Sequence, residues 1–214
     1  MNTLAATMDI GFHPAFALTL GGLVAAVLRG RYASMALVIA PILGFWQVYA
    51  LDIGSLSNMT LFGYDIIGVE VDKQAKVFGY LFHLAALVAG IYSFHVRDPW
   101  QISMALFYAA SAVGVAFAGD MISLFLWWEG LAITSVFQIW GRKTKEAEES
   151  GFRYLFFHVS SGLLLLAGIL FRYHLQFSVS YLRFLHHWLV ILVLLLIYQV
   201  CQSEKPVQGS LKNL

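Results

Sequence analysis

The feature of this sequence that most restricts its fold is a series of long apolar segments separated by short polar ones. A bilayer core is about 30 Å thick, and a helix needs about 20 apolar residues to cross it. Seven segments approach that length, at residues 10–28, 33–51, 77–94, 101–118, 121–140, 152–171 and 184–201. A mean hydropathy of +0.75 and a charged fraction of 12% lie outside the range of water-soluble domains. The sequence therefore predicts an all-α integral membrane protein with about seven transmembrane helices.

The connections between these segments predict how the helices are arranged. Residues 29–32 and 119–120 are short connections, so we expect the helices that they join to be antiparallel neighbours. Residues 52–76 form a longer connection that contains Gly54, Gly63 and Gly68, with alternating apolar residues around 64–71. This pattern favours a small surface hairpin at residues 53–72.

The distribution of basic residues predicts the orientation in the membrane. One set of alternate loops carries nine Lys and Arg residues: Arg29, Arg31, Arg97, Arg142, Lys143, Lys145, Arg153, Lys205 and Lys212. The other set carries four: Lys73, Lys76, Arg172 and Arg183. By the positive-inside rule, we expect a multi-pass protein of the cell (inner) membrane with its amino terminus outside and residues 141–151 as a cytoplasmic loop.

Charge and cysteine content exclude several classes of function. A formal net charge of +1 provides no basic surface for nucleic acid. The single cysteine, Cys201, cannot form an intramolecular disulfide, and no Cys/His cluster has metal-site spacing, so we expect no metal and no cofactor. Arg29 and Arg31 follow the first apolar run rather than precede it, which is atypical of a cleaved signal, and the run is expected to remain in the mature protein.

Glu129 is the strongest candidate for a functional residue, because it lies inside the predicted helix at residues 121–140. Placing a charged residue at the centre of a membrane helix costs at least about 2.5 kcal/mol, so such a carboxylate normally faces protein, water or an opposite charge. Proton transfer is the functional interpretation. The structural alternative is a protonated or ion-paired residue that only holds helices together.

Two histidines lie at depths from which they could exchange protons with Glu129. His158 is the better candidate relay, and His83 is a weaker one at about the same depth as Glu129. For both, the alternative is a neutral ring that is hydrogen bonded to a backbone carbonyl or a serine. The sequence does not reveal which helix faces meet.

Other polar residues have simpler interpretations. Asp98 and Asp120 precede predicted helices and are expected to cap them. The remaining histidines lie near predicted helix ends or in connections, where solvation explains them: His13, His95, His174, His186 and His187. Ala110, Gly114 and Ala118 form a small-residue face that allows close approach by the backbone of a neighbouring helix, and Pro41 is expected inside the second helix.

Several local runs carry a resemblance to a known family. They are residues 71–73 (VDK), 92–99 (YSFHVRDP), 117–120 (FAGD), 124–129 (LFLWWE), 139–142 (IWGR), 154–158 (YLFFH) and 161–168 (SGLLLLAG). These runs resemble the amino-terminal part of the D component of Mrp-type Na⁺/H⁺ antiporters, a family homologous to the antiporter-like proton-pumping subunits of respiratory complex I. The resemblance covers roughly residues 11–174.

The resemblance implies an architecture and a role for Glu129. Residues 1–174 would form a bundle like the first half of an antiporter-like subunit, and residues 175–214 would form a divergent segment with a helix at 184–201 and a polar tail. In the family, the glutamate that matches Glu129 belongs to the proton path and pairs with a lysine on the seventh helix. Implied partners are the other subunits of such a complex, the lipid bilayer and protons, with Na⁺ or K⁺ as the exchanged cation left open.

The sequence also departs from the family. Family members are more than twice as long and have about fourteen helices, and residues 188–200 contain no charged partner for Glu129. The chain could be a split subunit, a shortened structural subunit or a truncated antiporter fragment.

Two functions follow from these alternatives. The first is a membrane subunit of a multisubunit cation/proton antiporter or complex-I-like assembly, in which partners supply the counter-charge and any redox activity, such as NADH:quinone oxidoreduction. The second is a non-catalytic structural or assembly subunit.

Overall fold

The computed structural model describes residues 13–28, 30–61 and 64–175, which form six α-helices and one β-hairpin. The helices are α1 (Phe16–Val27), α2 (Arg31–Ala50), α3 (Lys73–Tyr92), α4 (Pro99–Ala116), α5 (Met121–Trp140) and α6 (Lys145–Leu175). The strands are β1 (Leu56–Leu61) and β2 (Tyr64–Glu70), and a short 3₁₀ turn, Ser93–His95, follows α3. The predicted helical fold is confirmed.

Four of these helices are long and apolar enough to cross a membrane: Arg31–Ala50, Lys73–His95, Met121–Trp140 and Lys145–Arg172. Helix α1 is apolar but has only 12 residues. The predicted helix at residues 184–201 and the polar tail lie outside the described residues. The structure thus supports a membrane-embedded protein with four candidate spans in its described part rather than seven.

The chain divides into two compact units, Met1–Gly162 and Leu163–Leu214. The first unit contains the hairpin, helices α1 to α5 and the first half of α6. Its central helix is α4, which contacts α1, α2, α3 and α5. Apolar residues of α4, including Ile102, Leu106 and Val113, are fully or almost fully buried.

A polar residue of α4 is satisfied by a neighbouring helix. The Ser103 hydroxyl is buried and donates to the carbonyl of Gly22 on α1 at 2.8 Å. A helix surrounded by protein can carry such side chains, because each finds a partner that lipid would not supply. Contact with four other helices thus explains how α4 buries serines among its apolar residues.

Aspartates cap the starts of three helices. The carboxylate of Asp72 accepts a hydrogen bond from the amide of Ala75 at 2.5 Å, that of Asp98 from Trp100 at 3.1 Å, and that of Asp120 from Ser123 at 2.7 Å. The predicted caps at Asp98 and Asp120 are therefore confirmed. Helix α3 begins at Lys73 rather than at the predicted residue 77 because Asp72 satisfies the first turn.

The predicted loop at residues 141–151 is mostly helical, so that prediction was wrong in its extent. Helix α6 begins at Lys145, and the Thr144 hydroxyl accepts from the amide of Ala147 at 3.2 Å. Glu146 and Glu148 lie in the first turn, where negative charge favours the helix dipole. Only residues 141–144 connect α5 to α6.

The first helix begins later than predicted, at Phe16 rather than at residue 10. His13, Pro14 and Ala15 form a turn before it, in which the amide of Phe16 donates to the carbonyl of His13 at 2.7 Å. Residues 1–12 lie outside the described part of the chain.

The hairpin predicted at residues 53–72 is confirmed. Strands β1 and β2 are antiparallel, with Leu61 opposite Tyr64 and Leu56 opposite Glu70. The hairpin is fixed to the α4–α5 connection at Ile67, whose amide donates to the second carboxylate oxygen of Asp120 at 2.7 Å. The Ile67 carbonyl accepts from the amide of Gly119 and the hydroxyl of Ser123.

Contacts between helix ends define two ends of the bundle. At one end, the Ser34 hydroxyl of α2 donates to the carbonyl of Val96, and the Gln101 side chain of α4 donates to the carbonyl of Gly141. The Lys143 ammonium lies 3.5 Å from the Asp98 carboxylate at this same end. The hairpin lies at the other end with the start of α5. This arrangement agrees with antiparallel neighbouring helices.

Candidate functional site

Glu129 lies near the middle of α5, about 12 Å from the start of the helix and about 16 Å from its end at 1.5 Å per residue. Its carboxylate is directed at Gly162 on α6. A Cβ atom built on Gly162 would overlap Oε1 of Glu129 and lie 3.2 Å from the carboxyl carbon. The missing side chain of Gly162 is therefore what makes room for the carboxylate between α5 and α6.

The Glu129 carboxylate has no cationic partner among the described residues. Its Oε1 atom is buried and makes no hydrogen bond there. The ion pair formed within the described part of the chain joins Lys143 to Asp98 at the end of the bundle. Binding a proton, or contact with a positive charge from outside the described residues, lowers the free-energy cost of a carboxylate in this position.

His158 lies one helical turn before Gly162 and faces α5. Its imidazole ring is roughly parallel to the indole of Trp128, with centroids 5.8 Å apart and an interplanar angle of 23°. It is also roughly parallel to the ring of Tyr154, at 5.8 Å and 27°. The structure thus brings the two best candidates from the sequence, Glu129 and His158, to the same face between α5 and α6.

Three polar atoms on this face have no hydrogen-bond partner among the described residues: Nε1 of Trp128, Oε1 of Glu129 and Nε2 of His158. We call these three residues the α5–α6 polar cluster. Buried polar atoms nearly always have a hydrogen-bond partner, so a group of three without one marks a place where water or a transferred proton would be stabilised. The cluster combines a carboxylate and an imidazole, which can each take up and release a proton, with an indole N–H that only donates a hydrogen bond.

A hydroxyl pair links the same two helices close to the cluster. The hydroxyls of Tyr154 on α6 and Ser135 on α5 lie 2.9 Å apart. The Ser135 hydroxyl also reaches the carbonyl of Ala132 at 2.8 Å. Because a carbonyl only accepts, the serine proton goes to Ala132 and the Tyr154 hydroxyl donates to Ser135.

His83 lies elsewhere in the bundle. It is buried on α3, its Nδ1 lies 2.7 Å from the carbonyl of Gly79, and its ring packs closely against Gly44 of α2. Nδ1 therefore carries the proton, as in a neutral packing histidine. The structure does not bring His83 together with Glu129 and His158, and its contacts match the structural alternative.

His13 is a partly buried residue, with a buried Nε2 atom, that the sequence did not single out. Its ring lies against Trp127 of α5 with centroids 4.8 Å apart, and its Nδ1 accepts from the amide of Ala15 at 3.1 Å. The side chain of Gln47 donates to its carbonyl at 2.8 Å. Solvation alone therefore does not explain His13, because a contact between residues as distant in sequence as His13 and Trp127 leaves no local signal.

The other histidines differ in what the structure describes. His95 is exposed, as expected. The side chain of His174 and both His186 and His187 lie outside the described residues.

The small-residue face of α4 has a different neighbour from the one predicted. Gly114 accommodates the indole of Trp127, which would overlap a Cβ atom at that position. Ala110 is buried on the same face. The prediction of close approach is confirmed, but an aromatic side chain rather than a helix backbone occupies the space at Gly114.

A cavity of about 490 Å³ lies at the α5–α6 turn, lined by Trp140, Lys143, Thr144, Lys145, Glu148 and Phe152. Its walls carry both positive and negative side chains, which is typical of a solvated helix end. It is separate from the α5–α6 polar cluster.

Comparisons with known proteins add no assignment. No protein-family profile matches this chain, and no curated protein is significantly similar to it. The resemblance to antiporter subunits is therefore a hypothesis that rests on the local runs between residues 71 and 168.

Proposed function

We propose that this chain is a membrane subunit of a multisubunit monovalent cation/proton antiporter or complex-I-like proton-translocating assembly, in which Glu129 accepts and releases protons. The observation that carries the proposal is the position of the Glu129 carboxylate. It lies in mid-helix, with a buried oxygen that has no hydrogen-bond partner among the described residues. An ionisable residue inside a membrane helix costs free energy, and such residues usually have a function that offsets this cost.

The neighbours of Glu129 add support. His158 lies one turn from Gly162 on the same face of α6, and an imidazole exchanges protons near neutral pH when its surroundings permit. In this proposal, protons pass between the His158 imidazole and the Glu129 carboxylate, directly or through water, and the Trp128 indole takes no proton. His83 is not part of this path.

The proposal requires a counter-charge from outside the described part of the chain. A cation from another subunit near Glu129 would favour the ionised carboxylate, and its movement or neutralisation would favour the protonated one. Proton exchange at Glu129 would thereby be coupled to events in the neighbouring subunit. In the proposed orientation, the basic end of the bundle at Arg97 and Lys143 faces the cytoplasm.

The test is the Glu129→Gln substitution in the native organism, because glutamine keeps the size and polarity but cannot carry a proton. Transport is measured in native membrane vesicles as the change in a pH-sensitive dye after addition of Na⁺, K⁺ or a respiratory substrate. We expect loss of proton-coupled transport with a normal amount of protein in the membrane. Glu149→Gln, an exposed acid on α6, is the matched control and should transport normally.

Normal transport by Glu129→Gln would overturn the proposal and favour the structural or assembly subunit. Purification in mild detergent separates the remaining alternatives. Recovery with other antiporter-like subunits identifies the assembly and the source of the counter-charge. Recovery of the chain alone would favour a truncated fragment.

A further inference from the structure

The hydroxyl pair of Tyr154 and Ser135 has no role in the function proposed above, although it lies beside His158. Tyr154 precedes His158 by one helical turn, so both side chains leave α6 on the same face. The two rings are roughly parallel with centroids 5.8 Å apart. The orientation of His158 therefore depends on where the Tyr154 ring is held.

The position of the Tyr154 ring is fixed from the opposite helix. Its hydroxyl donates to Ser135 of α5, whose own proton is directed at the Ala132 carbonyl. A tyrosine with its hydroxyl anchored loses most of its freedom to rotate. Trp128, also on α5, contacts the same imidazole, so α5 controls His158 through two aromatic rings.

We propose that Tyr154, anchored by Ser135, is a positioning residue that holds the His158 imidazole in the orientation needed for proton exchange with Glu129. This inference rests on the proposed function, and it adds the residues that control the relay. The Tyr154 ring is also part of the immediate surroundings of the imidazole, so Tyr154 affects the protonation of His158 as well as its orientation.

Two titratable groups lie on the described faces that meet at His158: Glu129 on α5 and Tyr154 itself on α6. If a Tyr154 substitution changes the pH dependence of transport, the group affected is therefore His158 or Glu129. The His158→Gln variant separates these two possibilities, because any pH dependence that remains in it comes from Glu129.

The experiment compares Tyr154→Phe, Tyr154→Leu and Ser135→Ala in native membrane vesicles over a range of pH. Tyr154→Phe keeps the ring and loses the anchor, so we expect transport to slow by about fivefold, the effect of one hydrogen bond. Ser135→Ala should slow transport by a similar factor. The double variant Tyr154→Phe/Ser135→Ala should be no slower than either single variant, because both substitutions remove the same hydrogen bond. Tyr154→Leu removes the ring too and should be slowest, with a shifted pH profile. Tyr32→Leu, at a position that is 69% exposed, is the control and should leave rate and profile unchanged.

A second measurement separates failure of this inference from failure of the proposed function. In protein labelled with ¹³C-histidine, the ring signals of His158, assigned with His158→Gln, should change chemical shift and titration in Tyr154→Leu and Tyr154→Phe. Unchanged His158 signals and an unchanged pH profile overturn the positioning role, whatever the effect of Glu129→Gln. Changed signals with normal transport by Glu129→Gln overturn the proposed function and leave the contact itself established.

Discussion

The carboxylate of Glu129 on α5 lies directly against Gly162 on α6, in the space that a side chain at residue 162 would occupy. The position of the Glu129 carboxylate therefore requires that residue 162 has no side chain. His158 precedes Gly162 by one turn, so the same stretch of α6 provides both the space for the carboxylate and the imidazole beside it. A substitution at residue 162 should consequently act on the proton path through the position of Glu129.

Gly162→Ala should alter transport without unfolding the protein. The added methyl group meets the end of a flexible side chain, so Glu129 can turn away at little cost, while alanine favours the helix by about 1 kcal/mol. We expect transport to fall at least several-fold with thermal stability nearly unchanged, measured in vesicles and in detergent. Gly68→Ala, where the nearest atom is the Ser57 carbonyl oxygen at 3.6 Å, is the control. Normal transport by Gly162→Ala would show that the position of the carboxylate is not important.

Gly90→Ala should destabilise the bundle far more than Gly162→Ala. A Cβ atom on Gly90 would overlap the backbone carbonyl of Leu37 on α2, and backbone cannot turn aside as a side chain does. Overpacking of this kind costs about 1–3 kcal/mol, which a thermal unfolding series in detergent would detect. Equal stability of the two variants would contradict the close packing of α2 on α3.

Gly114→Ala tests the contact between α4 and α5. The added methyl group would overlap the fused rings of Trp127, which are too rigid to move aside without displacing α5. We expect a loss of about 1–3 kcal/mol. Replacing Trp127 by leucine in the Gly114→Ala background should recover part of this loss, and absence of any recovery would assign the effect to another contact.

Asp120→Asn should loosen the hairpin more than Asp98→Asn affects its own helix. Asp120 accepts two backbone N–H groups, from Ile67 and Ser123, and asparagine offers a single acceptor oxygen, so one bond is lost at a cost of about 1 kcal/mol. Asp98 accepts a single amide, from Trp100, and asparagine preserves that cap. Faster hydrogen exchange at the Ile67 amide in Asp120→Asn, with no change in Asp98→Asn, is the expected result.

Substitutions at Lys143 compare the effect of its backbone conformation on stability with the effect of its surface ion pair. It has a positive φ of 54°, which most residues adopt at a cost of about 1–2 kcal/mol, and its ion pair with Asp98 is 79% exposed on the lysine side. Lys143→Met should change stability by less than about 1 kcal/mol. Lys143→Gly should be at least as stable as the natural chain in detergent unfolding, because glycine relieves the strain. A large loss in Lys143→Met would show that the ion pair matters more than its exposure suggests.

The sequence determined the class of fold and the most distinctive residue. Apolar segments of bilayer length predicted the helices, aspartates predicted two caps, and glycines with alternating apolar residues predicted the hairpin, because each signal is local in the chain. Glu129 was identified for the same reason, since the cost of a carboxylate among apolar residues can be read from its neighbours in sequence. The start of α6 was missed because its first turns are charged, and their helical conformation depends on Thr144 and the acids that follow it.

Only the tertiary structure decided which side chains meet. Rotation of a helix about its axis is set by packing against its neighbours, which a single sequence does not encode in any local pattern. Packing placed His158 on the face of Glu129, turned His83 toward Gly44, and placed the His13 ring against Trp127. Packing also explains the importance of Gly162 and Tyr154. Gly162 leaves space for the Glu129 carboxylate, and Ser135 anchors the Tyr154 ring, and both of these partners lie on α5.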